Sequence, residues 1–446
     1  MTVPLRDAGE RSALATNDIA QLQRKLGTFE LTVTGVGTIL GAGIYVLIGA
    51  AAGRAGSGVW LSFALAALAA GLTGLSYAEL ASAYPKAGAT FEYARQAFGV
   101  RTGFVAGWLM LVAATVQVAA VGLGFGGYLA ALAGTGAAWR VPAAVALISA
   151  GGLLLLAGVK EPVRVGVLFA FAELAGLILV VTVAAPHIGD ADLLVFPFGA
   201  AGVLQGAALV FFAVLGFEQV ANLAEEARDT RRGLPVAIVT AMAVTSGIYV
   251  LVALAAVSVV RWDELARSNA PLALVVQRVT GAELSRVVTV IALFAAANTV
   301  LFGLLSASRQ IYGMARAGAL PRVLGAVNAR RGAPVAAVVL VTLAAALVTL
   351  AGDIGRVAKT SNAAVLLAFV GVNGSLVWLR YRGAMPGGGF STVWSIGRVP
   401  VIPVLGAAAS AFMLTYTGWQ AVFLAAVLLL IGLEMSRLTL LQRRPL

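Results

Sequence analysis

The chain has 446 residues, 60% of them hydrophobic and only 11% charged, where an ordinary soluble domain carries about 25% charged residues. So few charges cannot cover so much apolar surface in water, which excludes a string of soluble domains despite the length. The net charge of +12 does not mark a nucleic-acid binder, because the basic residues fall between apolar runs and not in a patch interleaved with aromatics. Zero cysteines and one histidine, His187, exclude a disulfide framework, thiolate chemistry and a multi-histidine metal site.

Residues 1–28 carry Arg6, Asp7, Glu10, Arg11, Asp18, Arg24 and Lys25 without an apolar stretch, which reads as a cytoplasmic tail and not as a cleaved signal peptide. Apolar runs then follow at roughly 31–52, 58–82, 102–131, 141–157, 164–185, 198–223, 234–259, 284–308, 334–352, 358–379, 399–417 and 419–436. Each is about long enough to cross a bilayer. Backbone polar groups in lipid must be satisfied within the segment, so these runs are expected to be helices. The fold class is therefore an all-α integral membrane protein with about twelve transmembrane helices. With the N-terminus inside, 23 of the 31 basic residues fall in cytoplasmic segments and 8 outside. That asymmetry supports an even span number with both termini cytoplasmic; the expected location is the inner membrane.

Spans 1 and 6 share a peculiarity. Span 1 reads GVGTILGAGIYVL, with Gly35, Gly37, Gly41 and Gly43 close together. Span 6 reads GAALVFFAVLGFEQVANLAEE, with Gly216 and the charged Glu218 in mid-helix. Glycine-interrupted helices at matching places in two halves point to an inverted-repeat transporter. Close helix packing through small residues is the other reading of Gly41, Ala42 and Gly43. A break at this point frees amides at the start of the outer half-helix and carbonyls at the end of the inner one. The amides suit a carboxylate and the carbonyls an ammonium, so one broken helix can read the backbone of an α-amino acid.

Four stretches carry a resemblance. GTILGAGIY (37–45) is similar to a broken first helix, and YAELASAYPKAGATFEYARQAFG (77–99) to a second helix and first cytoplasmic loop. FFAVLGFEQVANLAEEARD (211–229) is similar to a sixth helix and SASRQIYGMARAGALP (306–321) to the loop after an eighth. In order along the chain, they resemble the amino acid–polyamine–organocation superfamily, closest to bacterial relatives of the cationic amino acid transporters. The resemblance implies a five-plus-five inverted repeat with two extra helices. The first repeat is then 29–186, the second 187–380, and the last two helices with a short tail 381–446. It implies Ala42 and Gly43 as amide donors, with Gly41 and Ile44 beside them, and carbonyls from Thr38 and Ile39. In span 6 it implies the carbonyls of Ala213, Val214 and Leu215 before Gly216, and Phe212 as an aromatic gate. Alternating access by the rocking of spans 1, 2, 6 and 7 against spans 3, 4, 5 and 8 follows from the same resemblance.

Charges within the spans are functional hypotheses by default. Glu218 could face a basic substrate side chain, take up a proton, or sit at a helix N-terminus where the dipole favours it. Glu225 and Glu226 read as partners of cytoplasmic arginines in an inner gate. Glu173, mid-span in FAFAELAGL, departs from the family, whose cationic-transporter branch often has a lysine there. A carboxyl in low dielectric favours its neutral form. Its three readings are a proton carrier, a Na⁺ ligand beside the carbonyls of Gly37 and Leu40, and a static hydrogen-bond donor. Asn298 and Thr299 interrupt span 8 and can serve a cation site or interhelical hydrogen bonds; Gln117 and Asn373 are equally ambiguous. Lys359, Thr360, Ser361 and Asn362 read as the outer mouth of span 10.

No G-x-x-x-x-G-K-[ST] or H-E-x-x-H occurs, so ATP-driven transport and zinc chemistry are not expected. The expectation is a secondary carrier of L-α-amino acids, not an enzyme. It works by proton-coupled symport, with Na⁺ the other candidate ion, no cofactor and no metal. Neutral side chains are favoured over cationic ones. A polyamine carrier, an amino acid exchanger and a transporter-derived nutrient sensor are the alternatives. The expected partners are a small-molecule amino acid and the lipid bilayer, with no nucleic acid and no obligate protein.

Overall fold

The computed structural model describes residues 22–135, 137–158, 160–268, 270–328, 331–350, 354–392, 394–397 and 399–441. Most of the charged N-terminal tail lies outside these, as do the side chains of Lys359 and Thr360. The described residues are built into helices, with a hairpin of two short strands, β1 (Ser395–Ile396) and β2 (Val399–Pro400). The helices are α1 (Thr28–Ala55), α2 (Val59–Ala83), α3 (Ala89–Phe98), α4 (Val100–Leu132), α5 (Arg140–Leu155), α6 (Lys160–Ala184), α7 (Gly199–Val210) and α8 (Phe217–Ala221). They continue with α9 (Gly233–Val259), α10 (Trp262–Arg267), α11 (Pro271–Thr280), α12 (Ala282–Arg316), α13 (Val335–Thr349), α14 (Ile354–Tyr381), α15 (Val401–Thr415) and α16 (Trp419–Leu441).

Among the described residues, eight helical stretches are long and apolar enough to cross a membrane, and three shorter apolar helices, α5, α13 and α15, accompany them. Apolar side chains such as Leu153, Leu168, Leu343 and Phe423 are exposed on their outer faces, as on helices that meet lipid. The chain is a multi-pass integral membrane protein. The predicted runs fall on these helices to within a few residues; the starts of α6 and α14 and the ends of α12 and α16 extend furthest beyond them. The short helices α3, α10 and α11 lie between runs and have too little apolar length to be read as spans.

Two groups of helices pack among themselves. In one, α9 lies against α1 and α2, and α7 against the same pair; in the other, α12 lies against α4, α5 and α6. These are the groups expected to rock against each other. α1 touches both, and α14 packs on α4 and α15.

The first helix is kinked. Gly41 has φ −11° and ψ −173°, far from helical values, so α1 is an inner half before Gly41 and an outer half after it. A Cβ at Gly41 would lie 2.2 Å from Thr299 Oγ1, so α12 approaches too closely for a side chain there. The second break follows α7. A single 3₁₀ turn, Phe211–Val214, leads to extended Leu215 and then to Gly216 at φ 131°, where α8 begins. That backbone conformation favours glycine. A Cβ at Gly216 would also meet the Thr38 carbonyl oxygen at 2.7 Å, so the two breaks lie against one another.

Candidate substrate-binding site

The groups freed by the breaks are met by side chains from neighbouring helices. The Thr38 hydroxyl is 2.9 Å from the Gly35 carbonyl oxygen and 3.2 Å from that of Gly216, tying the inner half of α1 to the second break. Ile39 O accepts from the Tyr249 hydroxyl of α9 at 2.5 Å. The Ala42 N–H donates to Thr299 Oγ1 at 3.1 Å, and that hydroxyl donates onward to Ala295 O. Thr299 thus caps the outer half of α1 as an N-cap hydroxyl does. Gly37 O accepts from Asn298 Nδ2 at 3.0 Å. Gly43 faces Ala213 so closely that a Cβ on it would come within 2.8 Å of Ala213 Cα. Leu40 and Ile44 are fully buried between these contacts.

A cavity of about 780 Å³ rises from this floor. Ala42, Gly43 and Phe212 line it, together with Tyr45. Small apolar residues of α4 and α12, Ala120, Val121, Gly124, Ala292 and Ala296, form its sides, with Asn362 of α14 opposite. It extends to Arg54, Gln205 and the connection 415–418. Of the expected substrate residues, then, Ala42, Gly43 and Phe212 face the cavity. Thr38, Ile39, Gly41, Ala213, Leu215 and Gly216 form the packed breaks, and Ile44 sits behind them.

Glu218 does not line the cavity. It is 4% exposed, and its Oε2 accepts from the Gly216 N–H at 2.9 Å, closing the start of α8 from within. The helix-terminus reading of this charge matches that geometry.

Glu173 on α6 is fully buried, with Asn298 beside it. Neither of its carboxyl oxygens, nor Asn298 Oδ1, has a hydrogen-bond partner. Its backbone carbonyl accepts from the Tyr45 hydroxyl at 3.2 Å. Asn298 thus lies beside Glu173 while its Nδ2 holds the carbonyl of Gly37, four residues before the break at Gly41.

On the opposite face the path is sealed. Arg309 Nε donates to Glu226 Oε1 at 2.7 Å, with the two side chains 0% and 1% exposed. The Glu226 carbonyl accepts from both Lys25 N and Leu26 N at 2.9 Å. Glu225 accepts from the Ala87 N–H, and Asn222 joins Ala89 N to Ser306 Oγ. Between this face and the breaks lies a column of packed rings, edge-on except for the tilted Phe217–Phe369 pair. It runs Phe211–Phe369–Phe217–Tyr77–Tyr93, with neighbouring centroids 5.4–6.2 Å apart. Among the described residues, no cluster of three or more His, Asp or Glu side chains is placed to hold a metal ion.

Outside the membrane, Asp229 fixes the entry to α9. The backbone N–H of Arg232 leads the contacts that hold its carboxyl below the usual carboxylate range.

Sequence reasoning did not find Tyr249 or the Arg54–Gln205 pair. A tyrosine within an apolar run is a usable signal, since its buried hydroxyl needs a partner. The partner, Ile39 O, is 210 residues away.

Comparison with known proteins agrees with this architecture. The sequence pattern of the family described as "Amino acid permease" matches residues 26–434. The branched-chain amino acid permease BcaP of Bacillus subtilis (strain 168) is 30% identical over 439 residues, covering 94% of this chain and 93% of that protein. Cationic amino acid transporter 4 of Homo sapiens is 32% identical over 389 residues, 82% of this chain and 61% of the relative. The methylthioribose transporter of Bacillus subtilis is 28% identical over 404 residues, 86% and 87% of the two chains. These similarities point to transport rather than catalysis, and the chain belongs to the amino acid permease family.

Proposed function

We propose that this chain is a secondary carrier of neutral L-α-amino acids, driven by proton symport across the inner membrane. About twelve spans form a five-plus-five inverted repeat, 29–186 and 187–380, followed by two helices and a short tail. Both termini are cytoplasmic. The observation that carries the reading is the cavity. It ends on the two helix breaks, its flanks are alanine, valine and glycine, and no acidic side chain lines it. Substrate stands with its carboxylate toward the Ala42–Gly43 end of the outer half of α1, where the helix dipole favours an anion. Its ammonium faces the carbonyl ends beyond Thr38, Ile39 and Ala213–Leu215. Phe212 covers it. With Glu218 held on Gly216 N, a lysine or arginine side chain finds no counter-charge. The similarity to a branched-chain amino acid permease supports the same choice.

The coupling proton resides on Glu173. A bare carboxylate at full burial without partners is strongly unfavourable, whereas a neutral carboxyl can donate its O–H to the unpartnered Asn298 Oδ1 beside it. Deprotonation turns that donor into an acceptor. Asn298 Nδ2 has two hydrogens, one of them on Gly37 O, so it turns the other toward the carboxylate and shifts its bond to Gly37 O. The proton is thereby sensed at the inner half of the broken helix. Protonation favours one orientation of the loaded carrier by differential affinity. The Arg309–Glu226 pair and the aromatic column hold the cytoplasmic side closed while the cavity faces out.

Counterflow in proteoliposomes tests the substrate assignment. Vesicles preloaded with unlabelled leucine, valine, lysine, glutamate or putrescine are assayed for labelled leucine entry. Leucine and valine are expected to drive counterflow and the others not to. No entry of labelled leucine against any preload, or entry driven by lysine or putrescine as well as by leucine, contradicts the neutral-substrate reading.

A further inference from the structure

The mouth of the cavity is built differently from its floor. Arg54 lies in the last turn of α1 and Gln205 on α7; both line the mouth, and Arg54 Nη1 donates to Gln205 Oε1 at 3.2 Å. Arg54 is exposed, and it is the only Asp, Glu, Lys or Arg among the lining residues. Among the described residues it forms no ion pair, so its charge is directed by an amide and neutralised by nothing.

Three residues further along α7, about 4.5 Å by helical rise, Ala208 O accepts from Asn362 Nδ2 at 2.9 Å. That bond orients the Asn362 amide. Asn362 is 6% exposed and lines the cavity, yet its Oδ1 has no partner. A buried acceptor of this kind calls for a donor. One turn of α7 therefore positions both Arg54 of α1, a positive donor, and Asn362 of α14, an unpartnered acceptor, along the cavity. Phe212 lies seven residues beyond Gln205, about 10 Å further in.

We propose that Arg54 and Asn362 form an outer recognition subsite for the zwitterionic head of an α-amino acid, occupied before the substrate passes Phe212. The Arg54 guanidinium, steadied by Gln205, takes the carboxylate through charge-assisted hydrogen bonds. Asn362 Oδ1 accepts from the ammonium. The same arginine repels diamines and cationic side chains at the entrance, so selection for neutral amino acids begins at the mouth. This inference rests on the cavity being the path of an amino acid, as proposed above.

The test is initial-rate uptake of labelled leucine into proteoliposomes by wild type, Arg54→Gln, Arg54→Lys, Arg54→Glu and Asn362→Leu. The Arg54 variants carry most weight, because removing an exposed side chain leaves no buried group unpaired. Arg54→Gln is expected to raise KM about three- to ten-fold with little change in maximal rate, as for loss of a partly solvated charge-assisted hydrogen bond. Arg54→Lys restores most of that loss. Arg54→Glu raises KM further and makes lysine a several-fold better competitor. Asn362→Leu shifts KM in the same sense. If wild type transports leucine but Arg54→Gln and Arg54→Glu keep its KM, the outer subsite is overturned and the transport reading stands. If wild type transports no neutral amino acid, the underlying reading fails, and this one with it.

Discussion

The sealed face offers a sharp test in Arg309→Met. Arg309 and Glu226 are joined by bonds of 2.7 and 3.4 Å, with both side chains essentially inaccessible. Removing one member of such a pair strands the other, at a cost of about 3–5 kcal/mol. Where that face opens, the Glu226 carboxylate meets water, so the penalty falls on the closed state alone. The conformational equilibrium should then move toward opening by about 10²- to 10⁴-fold. The chain has no cysteine, so Ala89→Cys provides a single reporter on this face. Ala89 is 0% exposed, and its N–H is bonded to Asn222 Oδ1 at 2.8 Å. Labelling by a membrane-impermeant maleimide in inside-out vesicles should be slow in Ala89→Cys alone and faster by at least tenfold once Arg309→Met is added. Glu226→Gln added to Arg309→Met removes the stranded charge and should restore slow labelling, since loss of both partners of a buried pair is often close to neutral. Unchanged labelling in the arginine variant, with an unchanged melting temperature, would refute the idea that this pair holds the face shut.

Other outcomes follow from single contacts. Gly216→Ala forces a side chain into a positive-φ position 2.7 Å from Thr38 O. It should cost about 2–5 kcal/mol and abolish uptake, whereas Gly247→Ala, with open space around the Cβ, should leave the melting temperature equal or higher. Tyr249→Phe leaves Ile39 O without its donor, and should lower stability by about 1–3 kcal/mol, read as a drop in the melting midpoint of detergent-solubilised protein. Glu79 accepts from Arg380 Nε and Nη2 and from Thr392 N and Oγ1, pinning the loop after α14 to α2. Glu79→Gln should free that loop and speed tryptic cleavage at the exposed Arg382 by about ten- to a hundred-fold, from a loss of about 2–3 kcal/mol in charged hydrogen bonds.

The membrane class and most helices were legible because an apolar run long enough to cross lipid is a property of local sequence alone. The two breaks were legible for a related reason. Glycine at 41 and 216 answers to backbone geometry and to a neighbour that leaves no room for a Cβ. Burial of Glu173 could be read from its place in an apolar run. What escaped was direction. The sequence shows a charge at 218 but not that it folds back onto its own Gly216 N–H. It shows carbonyls freed at 37 and 39 but not that Asn298 and Tyr249 reach them from 261 and 210 residues away. The same holds at the mouth. Arg54 reads as one more outer-loop charge until α7 brings Gln205 beside it. Such pairings depend on helix packing between distant segments, which leaves no local periodicity.

The central claim, that a proton on Glu173 drives amino acid uptake, is tested most directly by one measurement. Labelled leucine accumulation is followed in sodium-free proteoliposomes under an inside-alkaline pH gradient, with wild type and Glu173→Gln compared for both accumulation and counterflow. Wild type is expected to concentrate leucine while the gradient lasts; Glu173→Gln should lose accumulation and keep counterflow. Accumulation that ignores the gradient, or persists undiminished in Glu173→Gln, would contradict the account.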